Sequence, residues 1–352
     1  HRLAMHSDGA ISAAWTTSTS DAVGFPGRGS GYNFRSAAGK WQPSDSNRVE
    51  NVRTGWANVG VLSNGNVFTI GHDATSGGFY MTTSSSASSR PSTVTNILKE
   101  PPYKPIWART ANNGDVIHLI CSYTDSAAPG EARAPRRNGV FAPMVYSRSK
   151  DGGLTWDKQH VSLPGFDSTL TNNGGADQYT IDVRGNTVAI VNADLLQGVI
   201  AWKSTDGGTT FKRIIVDTFR YAPWTGKQLM TDTPFTNDGT CDVIIDKNNN
   251  LHVFWGLGRV LDTDTTDQSY SFYPGLQGIM HWSEATDKTS LIASGAAFDA
   301  DGDGVNKMEQ PTYSALSSGN VPSGMSTVAR LGNTSCMRQP SSAIDANGNI
   351  FC

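Results

Sequence analysis

The sequence predicts an all-β fold, and three observations support this prediction. The 352 residues include 37 glycines, only 17% are charged, and long runs of helix-forming residues are few, which is typical of many short strands joined by turns. One hairpin pattern recurs six times, and a second hairpin lies between consecutive copies. Such four-stranded units must stack around an axis to bury both faces of their sheets. We therefore expect a six-bladed β-propeller of four-stranded antiparallel blades.

The first hairpin of each unit joins two apolar strands through a turn rich in Asp, Asn and Gly. Asp8-Gly9 forms the first of these turns and Asn347-Gly348 the last. Asp-Gly and Asn-Gly between apolar runs are the strongest short hairpin signals in a sequence. The six copies cover residues 2–15, 59–70, 108–120, 179–190, 243–255 and 342–351.

The second hairpin is clearest in residues 146–156 and 201–211, which repeat one polar turn at the same spacing. An Asp in such a turn accepts hydrogen bonds from backbone amides two residues on, Gly supplies the positive φ, and the aromatic folds back over the strands. Weaker versions cover residues 32–41, 78–84 and 279–287. The shared positions are Ser149, Asp151, Gly153 and Trp156 in one copy and Ser204, Asp206, Gly208 and Phe211 in the other.

The last unit is incomplete, because the sixth hairpin stops at Cys352 inside its second strand. A propeller has to close its first blade against its last. We therefore expect residues 1–352 to form one domain that is a fragment of a longer parent chain. Ligand-facing loops are expected in the longest gaps between turns. These gaps are residues 21–41, 125–138, 217–238 and 262–325.

Composition argues against two classes of partner. The net charge is -3, with Lys+Arg 28 against Asp+Glu 31, so no basic surface for nucleic acid and no basic helix for a membrane is expected. The longest apolar stretch, residues 188–200, is interrupted by Asn192, Asp194 and Gln197, which excludes a transmembrane span there. The four cysteines lack C-x-x-C spacing and are either buried thiols or disulfide partners.

The repeated turn S-x-D-x-G-x-T-W resembles the Asp-box, or bacterial neuraminidase repeat, of sialidase-like β-propellers. In that family the box sits at the outer rim, away from the face where ligands bind. Residues 15–18, 29–33, 48–56 and 146–149 are also similar to propellers of secreted Bacteroidota proteins, which often end in a type IX secretion sorting domain. The resemblance implies a secreted or cell-surface protein.

The resemblance also sets an expectation for catalysis. A sialidase holds its substrate carboxylate with three arginines, uses a Tyr activated by a Glu as nucleophile and protonates the leaving group with an Asp. Arg2 occupies the place of the first arginine, although Ala4 follows where the family has Pro, and Arg338 is a candidate for the third. No tyrosine follows Arg338 where the nucleophile belongs. We therefore expect binding without hydrolysis.

Three arginines at the starts of first strands are the candidate ligand-binding residues. Arg53, Arg109 and Arg338 are expected to point into a central channel and to form a pocket for an anion. Trp56 or Trp107 would provide the surface on which a sugar ring stacks. The alternative is that these arginines tie neighbouring blades together through carboxylates.

A candidate calcium loop lies near the end of the chain. Asp299, Asp301 and Asp303 stand at alternate positions ahead of a Gly, as in the first half of a calcium-binding loop. Gln310 stands where an EF-hand has its closing Glu. The loop is either a structural Ca²⁺ site or a solvated acidic turn.

Three hypotheses for function follow. The first is a secreted, non-hydrolytic binding or display module that recognises glycans or other surface proteins. The second is a glycoside hydrolase of sialidase type with a rearranged site, and the third is a structural segment of a large surface protein. A Tyr with a Glu partner, or two carboxylates about 5 to 10 Å apart, at the channel mouth would favour the enzyme.

Overall fold

In the computed structural model, every regular element of the described residues is a β-strand. The structure describes residues 2–294, apart from 21, 44, 46, 74, 76, 127, 176, 177 and 268, and residues 339–352. Over this part of the chain no helix is long and apolar enough to cross a membrane. The all-β prediction is confirmed.

The first two sheets contain the strands up to residue 97. The first sheet holds, in order, β1 (Leu3–Met5), β2 (Ile11–Ser18) and β3 (Arg28–Arg35). The second holds β4 (Gly55–Val61), β5 (Val67–His72), β6 (Phe79–Thr83) and β7 (Thr93–Ile97). Each strand pairs antiparallel with the next.

The third sheet carries a small insertion between its second and third strands. It begins with β8 (Pro105–Asn113) and β9 (Val116–Tyr123). The insertion is the two-stranded sheet of β10 (Arg136–Arg137) and β11 (Val140–Phe141). β12 (Val145–Ser149) and β13 (Lys158–Ser162) complete the four strands.

Two further four-stranded sheets and one short pair follow. The fourth sheet holds β14 (Tyr179–Arg184), β15 (Thr187–Asn192), β16 (Gly198–Ser204) and β17 (Lys212–Thr218). The fifth holds β18 (Phe235–Ile245), β19 (Leu251–Leu261), β20 (Ser271–Ser283) and β21 (Lys288–Ser294). β22 (Ala343–Ile344) pairs with β23 (Ile350–Phe351). All six expected first hairpins are therefore antiparallel strand pairs.

The apolar core lies between consecutive sheets. Successive side chains of a strand point to opposite faces, and β15 shows the consequence. Val188 and Ile190 pack against the third sheet, whereas Ala189 and Val191 pack against the fifth. Central sheets that bury both faces explain why strands such as β5 and β15 are apolar or buried at every position.

Neighbouring first strands run side by side in the same direction. Asn58 of β4 donates to the Ala108 carbonyl of β8 at 2.9 Å, and further along Asn112 of β8 donates to the Val61 carbonyl at 2.6 Å. Hydrogen bonds join β14 to β18 in the same order, from Thr180 to Asp242 and from Asp182 to Ile245. The connections that precede these strands therefore share one end of the sheets, here named the loop end. The tight hairpin turns share the opposite end, here named the turn end.

The two repeated polar turns have the same hydrogen bonds. In each, the Ser hydroxyl accepts the amide of the second Gly, at 2.9 Å for Ser149 and 2.8 Å for Ser204. Asp151 accepts the Thr155 amide at 2.9 Å, and Asp206 accepts the equivalent amide at 2.9 Å. In both turns an amide that bonds to the Asp lies four residues on. The expected two-residue spacing was wrong, because the amide two residues on belongs to the second Gly and bonds to the Ser hydroxyl instead.

The aromatic residue that ends each turn packs back onto the sheets. Trp156 is partly buried against the core between the second and third sheets. Phe211 meets Tyr146 edge to face at 4.9 Å between ring centroids. The turn of the fourth sheet is also tied to the third, because Arg148 donates to the Gly207 carbonyl at 2.6 Å. These turns therefore join neighbouring sheets as well as neighbouring strands.

Candidate functional site

The principal candidate site is a central cavity of about 820 Å³. Its size lies within the range of about 300–1,000 Å³ that is usual for small-ligand sites. First strands of several sheets form its wall, and the first and last sheets both contribute. The lining residues are Arg2, Leu3, Arg109 and Thr110 together with residues 179–184, 240–245 and 339–344.

A β-bulge at the beginning of β8 positions Arg109 on this wall. The pairing of β8 with β9 shifts register between Ile106 and Arg109, and Trp107 in the bulge has φ +55°. Bulges of this kind change the direction in which the following side chains point. β4 has a matching bulge, in which Trp56 also has φ +55°, and there Asn58 takes the position of Arg109.

Arginine dominates the charge of the cavity wall. Among the described lining residues, Arg2, Arg109 and Arg184 stand against two carboxylates, Asp182 and Asp242. A guanidinium carries five N–H donors, so a bond to one neighbour does not exhaust its capacity. The wall therefore favours an anion.

Both carboxylates of the wall are engaged across sheets. Asp242 accepts the Ser342 amide at 2.6 Å and its hydroxyl at 2.7 Å. Asp182 accepts the Ile245 amide at 3.0 Å. These bonds join first strands to one another, so much of the acceptor capacity of the two aspartates serves the structure.

The structure does not bring Arg53 and Trp56 onto the wall of this cavity. Arg53 folds over the preceding connection and donates to the Gly24 carbonyl at 2.8 Å. Trp56 stacks on His72 with 4.8 Å between centroids, and the Arg28 guanidinium lies 5.4 Å from its ring. Both residues lie at the loop end between the first and second sheets, so the structure does not bring them together with Arg109.

Trp107 is partly buried and does not line the cavity either, and local contacts engage its backbone on both sides. Its amide donates to the His72 Nδ1 at 3.2 Å, and its carbonyl accepts the Tyr179 hydroxyl at 2.8 Å. The neutral imidazole acceptor is consistent with burial, which lowers the pKa of His72 to about 3 with help from Arg28.

Two expectations fall outside the described residues. Arg338 is one of them, although its neighbours Gln339 and Pro340 line the central cavity. The other is the calcium site, whose proposed ligands are Asp299, Asp301 and Asp303. Among the residues that the structure does describe, no three His, Cys, Asp or Glu side chains are grouped to hold a metal ion.

A Tyr–Glu pair is present, but not at the cavity. The Tyr123 hydroxyl donates to Glu100 at 2.5 Å, and Arg137 donates to the other oxygen of Glu100 at 2.5 Å. His160 lies 3.0 Å from the same carboxylate. Tyr123 is only 1% exposed and packs in the core between the second and third sheets. Burial raises the pKa of Tyr123, which opposes formation of a nucleophilic phenolate.

A second cavity, of about 510 Å³, opens at the loop end between the fourth and fifth sheets. In the sequence, two of its residues, Asp194 and Gln197, stand out only as interruptions of an apolar stretch. The available signal was the long gap at residues 217–238, which supplies Trp224. The lining residues that carry polar or aromatic groups are Asn172, Asn173, Gln178, Asp194, Gln197, Trp224, Thr225 and Tyr270.

Comparison with known proteins gives weak similarities only. No family model and no curated protein matches the chain. A Hadza microbial sialidase is 12% identical, with a TM-score of 0.41, over 79% of this chain and 62% of its own. The NanB sialidase from Streptococcus pneumoniae is 11% identical, with a TM-score of 0.43, over 74% of this chain and 36% of its own.

An ulvan lyase bound to a GlcA–Rha3S oligosaccharide is 10% identical, with a TM-score of 0.42, over 83% of this chain and 78% of its own. The chain spans about 62% and 36% of the lengths of the two sialidases. Similarities of this size carry no conclusion about what the chain binds or catalyses.

Proposed function

We propose that the sheets are the blades of a six-bladed propeller, with the β22–β23 pair as part of the last blade. The parallel course of the first strands supports this arrangement, since radial stacking places them around one axis. The wall of the central cavity supports it further, because residues 339–344 meet Arg2 and Leu3 of the first sheet there.

The proposed function is non-hydrolytic binding of acidic glycans in the central cavity, with Arg109 as the anchor for a sugar carboxylate or sulfate. One observation carries the proposal: three arginines face two aspartates that are already hydrogen-bonded across sheets. A guanidinium binds a carboxylate through two parallel hydrogen bonds, which fixes orientation as well as charge.

Binding without cleavage is proposed because the candidate nucleophile is in the wrong place. The Tyr123–Glu100 pair belongs to the core between two sheets, and neither residue lines the central cavity. Displacement at a sugar carbon needs the nucleophile and the acid on either side of the scissile bond. A substrate held at Arg109 would meet neither part of that pair.

The test combines a glycan array with a fluorogenic sialoside assay. Wild-type protein is expected to bind sialylated or uronic-acid glycans and to release no fluorophore. Arg109→Ala is expected to weaken binding about tenfold or more, since a hydrogen-bonded charge pair is lost. Arg213→Ala is the control, because Arg213 is an exposed arginine on the outer strand β17.

Three outcomes would contradict the proposal. Release of the fluorophore would replace the binding module with a glycoside hydrolase. Equal binding by wild type and Arg109→Ala would move the anion site away from the central cavity. Failure to bind any acidic glycan would favour the structural-segment hypothesis.

We further propose that the protein is secreted or held at the cell surface, as the resemblance to type IX secretion cargo implies. A Ca²⁺ ion bound by Asp299, Asp301 and Asp303 would brace the loop that carries them. Detection of the chain in the culture medium or on intact cells tests the location, and its confinement to the cytoplasm would contradict it.

A further inference from the structure

The second cavity is built from four connections at the loop end. Asn172 and Gln178 precede β14, Gln197 lies between β15 and β16, Trp224 precedes β18, and Tyr270 precedes β20. Its volume of about 510 Å³ suits a small ligand. The central cavity shares none of these lining residues, so the two sites are independent.

One side of the cavity is aromatic and held in place. Trp224 and Tyr270 meet edge to face, with 5.4 Å between centroids and 82° between planes. The Trp224 indole N–H donates to Asp262 at 3.0 Å, and Asp262 is buried. The carbonyl of Trp224 accepts the Asn172 amide at 2.6 Å. A fixed indole provides an apolar face at small cost in conformational entropy.

The rest of the lining is largely polar, and one of its groups lacks a partner among the described residues. Gln197 is only 7% exposed, and its amide nitrogen donates to the Trp224 carbonyl at 3.4 Å. Its amide oxygen is buried and has no hydrogen-bond partner among the described residues. A buried acceptor without a donor costs free energy, and Gln197 lines the cavity, so a donor supplied by a ligand would remove this cost.

Asp194 is the cavity's one carboxylate among the described lining residues. It is 7% exposed and accepts the Thr171 hydroxyl at 2.9 Å. Burial raises the pKa of Asp194 to about 7, and burial together with Asp194 raises that of Tyr270. No Lys or Arg stands among the described lining residues, so the wall offers no counterion to an acidic sugar.

We propose that this second cavity binds one uncharged pyranose ring, with an apolar face against Trp224 and Tyr270 and with hydroxyl groups donating to Gln197 and Asp194. Amides and a carboxyl group are the polar partners that vicinal hydroxyls require. An aromatic surface suits the C–H face of the ring. The site would let the protein hold a neutral sugar residue while the central cavity holds an acidic one.

The experiment is ligand-observed NMR with methyl β-galactoside, methyl α-mannoside and N-acetylglucosamine, with choline as the cationic probe. At least one of the sugars is expected to bind saturably in the range of about 1 mM that a small site provides. Gln197→Ala and Trp224→Phe, which removes the indole N–H but keeps a ring, are each expected to weaken that binding at least about fivefold.

Lys227→Ala is the control, because Lys227 is exposed on the same connection and does not line the cavity. It is expected to bind as wild type does. The proposal is overturned if no sugar binds, if choline alone binds, or if both cavity variants keep wild-type affinity. Circular dichroism and a urea midpoint confirm that each variant is folded. The result is independent of the Arg109 assay, so either site can fail alone.

Discussion

Replacing Asp194 by Asn should make the protein more stable at neutral pH, which is unusual for loss of a carboxylate. Asp194 is buried, and its pKa stands at about 7 against an ordinary value of 3.8. Its folded form therefore favours the protonated acid, and ionisation in the folded state costs free energy. Asn keeps the shape and the acceptor for Thr171 but never ionises.

The sign of the pH dependence of stability follows from whether the folded or the unfolded state binds more protons. Between pH 3.8 and about 7 the folded protein holds a proton on Asp194 that the unfolded chain has released. The contribution of Asp194 to the free energy of unfolding is therefore largest below pH 4 and falls as pH rises through this window. A pKa difference of about three corresponds to about 4 kcal/mol. This is an upper bound, because Asp194 lines a cavity that opens to solvent, and roughly 2–4 kcal/mol is expected.

Urea unfolding of wild type, Asp194→Asn and Asp157→Asn at pH 2 to 8 measures this effect. The stability of Asp194→Asn relative to wild type should rise across the window and level off above pH 7. Asp157→Asn provides a control of opposite sign, because the hydrogen bond from Arg148 lowers the pKa of Asp157 to about 2. Wild type should be more stable than Asp157→Asn above pH 4, and this difference should be lost toward pH 2. Parallel curves for wild type and Asp194→Asn would refute the reasoning.

Three further predictions concern the turns and the proposed calcium site. Gly208→Ala should cost at least about 2 kcal/mol, because φ is +77° and the new Cβ would lie 2.0 Å from the Tyr146 hydroxyl. Gly207→Ala is the control and should cost only about 1 kcal/mol, because the space around Gly207 is open. Urea midpoints distinguish the two variants, and equal losses of stability would contradict the close contact between Gly208 and Tyr146. Ser149→Ala should cost about 1–3 kcal/mol by the same assay, since a buried amide loses its acceptor, and an unchanged midpoint would contradict this. EDTA should lower the thermal midpoint of wild type but not of Asp301→Asn, and an unaffected wild type would contradict calcium binding.

The hairpins could be read from the sequence because their turns are local. Gly65 has φ +82° and Gly348 has φ +89°. An Asn-Gly pair predicts these positive φ values by itself, whatever the rest of the chain does. The two repeated polar turns could also be predicted, because the spacing of their Ser, Asp and Gly residues is local to each turn. Only the offset of the bonded amide was wrong.

The sequence could not predict where the side chains of the candidate ligand-binding residues point. Trp56 and Trp107 adopt φ +55°, a left-handed conformation that is rare outside glycine and that no local pattern marks. The bulges they form decide where the following residue points. Arg109 consequently faces the central cavity, whereas Arg53, which precedes a bulge of the same kind, turns back to the Gly24 carbonyl.

The second cavity could not be predicted from the sequence for a different reason. Gln197 and Trp224 meet only because two sheets bring distant connections together. Within the sequence, Asp194 and Gln197 interrupt an apolar run and look like loop residues. Their burial, the unmet acceptor of Gln197 and the raised pKa of Asp194 exist only once the fourth and fifth sheets pack.

A crystal structure of the protein soaked with sialyllactose tests the central claim most directly. The proposed function predicts an intact ligand in the central cavity, with its carboxylate paired to the Arg109 guanidinium at about 2.7–2.9 Å. Intact ligand bound only elsewhere, or a cleaved product in the cavity, would contradict the claim.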